Sequence, residues 1–423
     1  MQKKLIILGG NPETGVLVDT AESMGVYTIV IDPNPNAPAK KSASETYDID
    51  GFDIDKIVSI AKERKVDGVL VGVADILVKS YWEICEKLDF PCYATEKAVE
   101  AFCSKDGFKR ACLQFDIQDI PGIYLDRESD ITKPNIIDYP LMIKPVDSGG
   151  GVGMSICRND SDYEESVKTA LNFSKKGVVL VEKYMDCDDM AVYYTFKDGI
   201  PYLSATYDRI TTKDQGDVSP VCIGAVYPSK HTEQFENYVH PKLCSFFDGL
   251  GLKNGILNMQ FFVEKNKFYA YDPGFRLQGE APHIHLAHIN GFDHRKMLVN
   301  FALTGTFGEA DFSQKNDPRF KGKSACTIWV LLTDGKIGSI KGLDDLKSDK
   351  KIAYVLDRFK TGDVVTPDML GTERQVFARI YIEGNSTSEL SQKIDEIKHN
   401  LIIHDDEGKD MILYWVDPSI INN

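Results

Sequence analysis

Three short apolar runs in the first part of the chain, Lys4–Leu8, Val26–Ile31 and Gly68–Val71, alternate with stretches of helical periodicity at Val16–Met24, Ile54–Arg64 and Ile76–Leu88. Continuous Val/Ile/Leu strands between amphipathic helices predict a parallel sheet covered on both faces. Right-handed crossovers make such a sheet doubly wound, and its ligands gather beyond the carboxyl ends of the strands. Three features lie there: the turn Gly9–Gly15, Asp32 with its Asn/Pro-rich loop, and Val73-Ala-Asp75. Each reads as a substrate contact or as a plain turn. The glycine turn lacks the GxGxxG spacing of a dinucleotide site.

A second unit is expected over residues 99–310. Its helix Glu96–Phe115 carries Lys105. The strand Leu141–Lys144 delivers Lys144 and breaks into Ser148-Gly149-Gly150-Gly151-Val152-Gly153. An ammonium fixed beside bare backbone N–H groups suits a triphosphate, while a flexible hairpin is the plain alternative. The lysine precedes the glycines, so the pattern is not GxxxxGK[ST].

Further residues fit a nucleotide. The strand Val178–Tyr184 leads into Glu182-Lys183-Tyr184-Met185. Glu182 is placed to accept from an exocyclic amine, with Lys183 and Met185 backbone groups reading the ring; a strand end in solvent is the alternative. Asp189 is a candidate for a ribose hydroxyl, although Asp186 and Asp188 lie near. The strands Gly255–Glu264 and Lys267–Asp272, joined by Lys265-Asn266, form a hairpin. Even spacing puts Gln260 and Asp272 on one face, and their oxygens suit Mg2+. Arg276 follows closely. Its guanidinium suits a carboxylate or a transferring phosphoryl group; alone it reads as an ion pair. Next come Glu280, His283, His285 and His288. The histidines read as acceptor-site lining, one of them as a base, or as structure, and less readily as a metal site.

At 423 residues the chain has room for several domains. The net charge of −15 argues against nonspecific binding to nucleic acid or an anionic membrane. Nine cysteines are scattered without paired spacing, so neither a disulfide framework nor a zinc site is expected. The start is too quickly polar for a signal peptide, and no apolar run is long enough to span a bilayer. The cytoplasm is the expected compartment.

In their order, these residues resemble the ATP-grasp superfamily. The stretch Asn258-Met-Gln-Phe-Phe and Tyr271-Asp-Pro-Gly-Phe-Arg276 is similar to carbamoyl-phosphate synthase large chains, where Gln likewise binds metal on the first strand. The C-terminal part resembles biotin-carboxylase-like and L-amino-acid ligase branches. The resemblance implies an α/β architecture in three parts: a doubly wound parallel-sheet domain over 1–98, a two-lobed ATP-grasp unit over 99–310 with a lid lobe at about 114–183, and a small α+β domain over 311–423. It implies ATP and Mg2+, with Mn2+ as a substitute, and small-molecule carboxylate and amine substrates. A homodimer is compatible with it. Lys105 and Lys144 would hold phosphates, the Ser148–Gly153 loop would cover them, and Arg276 would serve catalysis. The chain departs from the family at Gly274, where an Asn usually supplies a metal oxygen.

The activity implied is carboxylate activation as an acylphosphate, then coupling to an amine. Alternatives are a carbamoyl-phosphate-synthase-like kinase acting on bicarbonate or carbamate, a nucleotide-binding regulatory protein without turnover, and an oxidoreductase using the N-terminal glycine turn.

Overall fold

The computed structural model describes residues 2–127, 133, 135, 137–147, 152–212 and 221–422. Ser148, Gly149, Gly150 and Gly151 of the expected phosphate loop lie outside them.

The first strands are β1 (Lys4–Leu8), β2 (Tyr27–Ile31), β3 (Glu45–Tyr47) and β4 (Gly68–Val71). They pair in parallel in the order β3-β2-β1-β4, and β1 and β4 are almost wholly buried. Helices α1 (Pro12–Ser23), α2 (Ile54–Arg64) and α3 (Val78–Leu88) make the connections. The helix His294–Thr304 also packs on β4, so closely that a Cβ on Gly68 would lie 2.2 Å from the Ala302 carbonyl oxygen. The N-terminal sheet is therefore seated on the second unit.

The expected single helix Glu96–Phe115 is two helices, α4 (Glu96–Phe102) and α5 (Lys105–Gln114). Ser104 is extended, and its hydroxyl accepts from the Gly107 N–H, capping a new helix whose first residue is Lys105. Gly107 permits the tight corner: a Cβ there would sit 1.9 Å from the Glu100 carbonyl oxygen.

A small lobe follows, with β5 (Gly122–Asp126), β6 (Leu141–Pro145), β7 (Ser155–Cys157) and β8 (Val178–Lys183) in the antiparallel order β5-β8-β6-β7. Helix α6 (Asp160–Phe173) covers one face through Tyr163, Val167 and Leu171, against Leu141, Ile143, Val179 and Val181. Alternation along β6 turns Lys144 to the opposite face.

The remaining strands are β9 (Asp188–Lys197), β10 (Ile200–Thr211), β11 (Cys222–Tyr227), β12 (Gly255–Glu264), β13 (Lys267–Gly274), β14 (Ser324–Leu331), β15 (Gly335–Lys341), β16 (Ile352–Asp357), β17 (Val364–Val365), β18 (Val376–Gly384) and β19 (Ile402–Asp405). One sheet runs β13-β12-β9-β10-β11-β14-β18-β16. It crosses the boundary drawn at residue 310, because β11 pairs antiparallel with β14. Of the C-terminal strands only β17-β15-β19 form a sheet apart. The nine cysteines are free, and no described helix is long and apolar enough to cross a membrane.

Candidate nucleotide-binding site

The small lobe, α5 and the β12–β13 hairpin converge on one cleft. Lys144 on β6 lies diagonally across the ladder from Glu182 on β8, the pairing being Met142 with Glu182 and Lys144 with Leu180. The Lys144 ammonium is 2.5 Å from Glu182 Oε2, and Lys109 Nζ is 2.8 Å from Oε1. Burial works to raise the Glu182 carboxyl, but the two lysines hold it below the ordinary carboxylate range. Lys109 also donates to Asp119 Oδ2 at 2.8 Å and to the Ile120 carbonyl at 2.7 Å. It escaped the sequence reading, although it follows Lys105 by one helical turn on the same face.

Lys105, at the start of α5, donates to the Pro145 carbonyl at 3.3 Å. Burial and the neighbouring Lys144 lower its proton affinity, while Asp272, Glu182 and Asp147 oppose them. Two ammonium groups that repel each other while a carboxylate faces them from another lobe form a receptacle for a polyanion.

The Glu182–Met185 segment joins the small lobe to the large sheet. Glu182 spends its carboxylate on the two lysines, where the sequence suggested a base amine. The Lys183 N–H is committed to the Pro121 carbonyl at 3.0 Å, and that of Tyr184 to Pro140 at 3.0 Å. The Lys183 side chain pairs with Glu264 at 2.9 Å. Met185 packs with Ile120 and Tyr269, beside Phe262 stacked on Tyr271 at 4.3 Å. Apolar and aromatic surface of this kind is what a planar base stacks on. Gly153, at φ +73°, lets the chain pass Phe173 and Pro145, where a Cβ would lie 2.6 and 2.9 Å from them.

Gln260 and Asp272 are direct partners in the β12–β13 ladder, and a register shift beyond Gln260 preserves that opposition by bulging Tyr271. The Gln260 side chain is 8% exposed and makes no hydrogen bond among the described residues. Asp272 is reachable by water although protein crowds it, as on a cleft floor. Loss of water and the facing Asp75 push its carboxyl up to about 6, against Arg276, Arg209 and Lys105. A buried carboxamide with no partner, set opposite a carboxylate, is a donor set that fits Mg2+ when phosphates complete the shell. Among the described residues no group of three or more His, Cys, Asp or Glu side chains is arranged for a metal.

Arg276 is buried at the cleft end. It donates to Gln278 Oε1 and, across the interdomain boundary, to Asp75 Oδ2; its Nε has no partner. Asp75, on the turn after β4, thus reaches the cleft as expected.

Other expected residues are engaged elsewhere. Asp189 is buried, its two oxygens taken by Arg209 Nη1 at 2.6 Å and the Tyr271 hydroxyl at 2.9 Å. Burial pushes its carboxyl up to about 6 in spite of Arg209. Nothing is left open toward a ribose. Glu280 is likewise buried, accepting from Arg209 Nε at 3.0 Å and the Tyr207 hydroxyl at 2.7 Å. His285 is fully buried between Glu383 Oε1 at 3.2 Å and Thr327 Oγ1 at 3.1 Å. His283 is buried too, and burial with Arg295 nearby drives its ring well below the ordinary value. His288 is exposed, so His285 and His288 share no metal site. His285 ties the C-terminal strands to the preceding unit, and its two ring nitrogens are both engaged there. The sequence held no sign that these histidines are buried.

The first turn of α1 is also occupied. Glu13 is buried and pairs with Arg358 and with Arg379, which is wholly buried over Trp329. A dinucleotide pyrophosphate would have to displace that network, so the oxidoreductase alternative lacks a site.

Residues 104–189 match the family model for the carbamoyl-phosphate synthase L chain ATP-binding domain. By structure, 96% of the chain superposes on 99% of an L-amino acid ligase from Bacillus licheniformis, with TM-score 0.78 and 17% identity. It also superposes, over 96% of its length, on all of a phosphoribosylglycinamide synthetase from Anaerococcus prevotii, with TM-score 0.76 and 17% identity. The chain has the ATP-grasp fold. Among curated sequences, the formate-dependent phosphoribosylglycinamide formyltransferase of Bacillus subtilis strain 168 is 26% identical over 187 residues. That match covers 43% of this chain and 48% of the relative, so the chain spans about half the length of the curated relative it matches.

Proposed function

We propose that the protein is an ATP-dependent carboxylate–amine ligase acting on small molecules. One observation carries this: Lys105 on α5 lies near Lys144 of the small lobe and also near Asp272 of the β12–β13 hairpin, and Asp272 in turn lies near Arg276. The relatives support it, since they include a protein named as formate-dependent and one named as an amino acid ligase.

Lys105 and Lys144 receive the phosphates, with the helix dipole of α5 adding to Lys105. The apolar surface around Met185 and Phe262 takes the base. Gln260 and Asp272 would hold Mg2+, which when bound neutralises phosphate charge. Arg276 orients the acid beside the terminal phosphoryl group. A carboxylate oxygen bonds to the γ-phosphorus as the bond to ADP breaks. The amine nitrogen then attacks the acyl carbon, inorganic phosphate leaves, and the amine proton passes to solvent. Lid closure excludes the water that would hydrolyse the acylphosphate.

Phosphate release from ATP in the presence of paired carboxylates and amines tests this reading. Release that needs both partners is expected. Release with bicarbonate alone would favour the synthase-like kinase, and nucleotide binding without turnover on any pair would overturn the ligase reading.

A further inference from the structure

Gly274 leaves a gap in the metal-facing surface that another part of the chain fills. A Cβ built on Gly274 would lie 3.0 Å from Asp75 Oδ1 and 3.0 Å from Arg276 Nη1. Asp75 therefore occupies the volume that a side chain at 274 would claim, although it comes from the N-terminal domain. Its two oxygens are used unequally. Oδ2 accepts from Arg276, while Oδ1 has no protein donor among the described residues and is the atom nearest to the missing side chain. The Asp75 side chain is 49% exposed, so this oxygen is open to the cleft. Asp272 is paired in the ladder with Gln260, whose carboxamide makes no hydrogen bond among the described residues, and the donor-free Asp75 Oδ1 lies over position 274, two residues along; oxygens so placed suit a divalent cation.

We propose that Asp75 supplies the third protein oxygen of the divalent-cation site, taking across the domain boundary the place that Gly274 leaves empty. Resting on the ATP-grasp ligase reading above, it makes the N-terminal domain part of the metal site and not only of the acceptor pocket. Arg276 is bonded to the other Asp75 oxygen, so one carboxylate would serve both the cation and the residue that orients the acid.

Mn2+ binding measured by electron paramagnetic resonance, with and without ADP, tests this in the full-length protein. Asp75→Ala is expected to weaken Mn2+ binding in the presence of ADP by about tenfold or more. Metal-free ADP affinity should hold or improve, since a negative charge leaves the cleft. The double variant Asp75→Ala/Gly274→Asn should recover Mn2+ affinity relative to Asp75→Ala, because the carboxamide returns an oxygen once the Arg276 guanidinium, released from Asp75, gives way at position 274. Circular dichroism confirms that each variant is folded, and Asp75→Asn serves if Asp75→Ala is not. Mn2+ affinity equal in the wild type and Asp75→Ala overturns the proposal while leaving the ligase reading intact. Failure of the wild type to take up Mn2+ with ADP overturns both.

Discussion

Arg276 illustrates how a residue's role is set by what surrounds it. Its guanidinium is buried and holds Asp75 and Gln278, yet one face adjoins the carboxylate of Asp272. Removing it takes away the positive charge at the point where negative charge develops. Arg276→Ala should lower kcat about 100- to 1,000-fold while ADP affinity changes little, as stopped-assay turnover and calorimetry would report. Equal losses in both would assign it to nucleotide binding instead. Glu182 carries a different load. It sits between Lys109 and Lys144 and is almost fully buried. Glu182→Ala leaves the Lys144 ammonium without its carboxylate and Lys109 with Asp119 alone, and should cost about 3 kcal/mol of stability in denaturant unfolding. Saturating nucleotide should return part of that loss, since phosphates can replace the carboxylate. Lys105, Lys144, Gln260, Asp272 and Arg276 were legible in the sequence because their order along the chain follows the order of the strands that carry them. Lys109 was not, because an isolated basic residue in a helix has many ordinary uses.

Among the elements, the corner between α4 and α5 decides the position of Lys105. Amphipathic periodicity runs on through Cys103 and Ser104, so the sequence read as one helix. Ser104 instead caps a second, and only the tertiary approach of Gly107 to the Glu100 carbonyl makes the break visible. Gly107→Ala would force that corner open. A loss of about 1–3 kcal/mol is expected in thermal unfolding, together with weaker ADP binding as Lys105 moves. Unchanged ADP affinity would mean that Lys105 does not depend on the corner. The β12–β13 hairpin shows the opposite case. Its turn at Lys265-Asn266, both at positive φ, and its alternation specified the register locally, so Gln260 and Asp272 met as expected.

Across the whole molecule, the large sheet joins the ATP-grasp unit to the C-terminal strands, and buried histidines line the joint. His283, His285 and His294 are buried and neutral in the folded protein, with His294 lowered to about 3 by loss of water. An unfolded histidine binds a proton below about pH 6.5. The unfolded chain therefore gains protons that the folded chain refuses, and stability falls as pH drops through that value. His294 should contribute a loss of about 1.4 kcal/mol by pH 5.5, with His283 and His285 adding in the same direction, so urea unfolding from pH 7.5 to 5.5 should show a decline. His285→Gln should make that decline shallower. A slope unchanged in His285→Gln would show that this ring is not a source of it.

Local pattern sufficed for the parallel N-terminal sheet, the hairpin with its metal-facing pair and the lysine-bearing strands, because period-two and period-3.6 burial is written into neighbouring residues. Long-range packing alone settled which charges would be spent on each other. Asp75 meets Arg276 across 201 positions of chain, and Arg379 meets Glu13 across 366. Such pairs form only once separate sheets are brought face to face, where loss of water makes an unpartnered charge costly and leaves each ion little choice of neighbour.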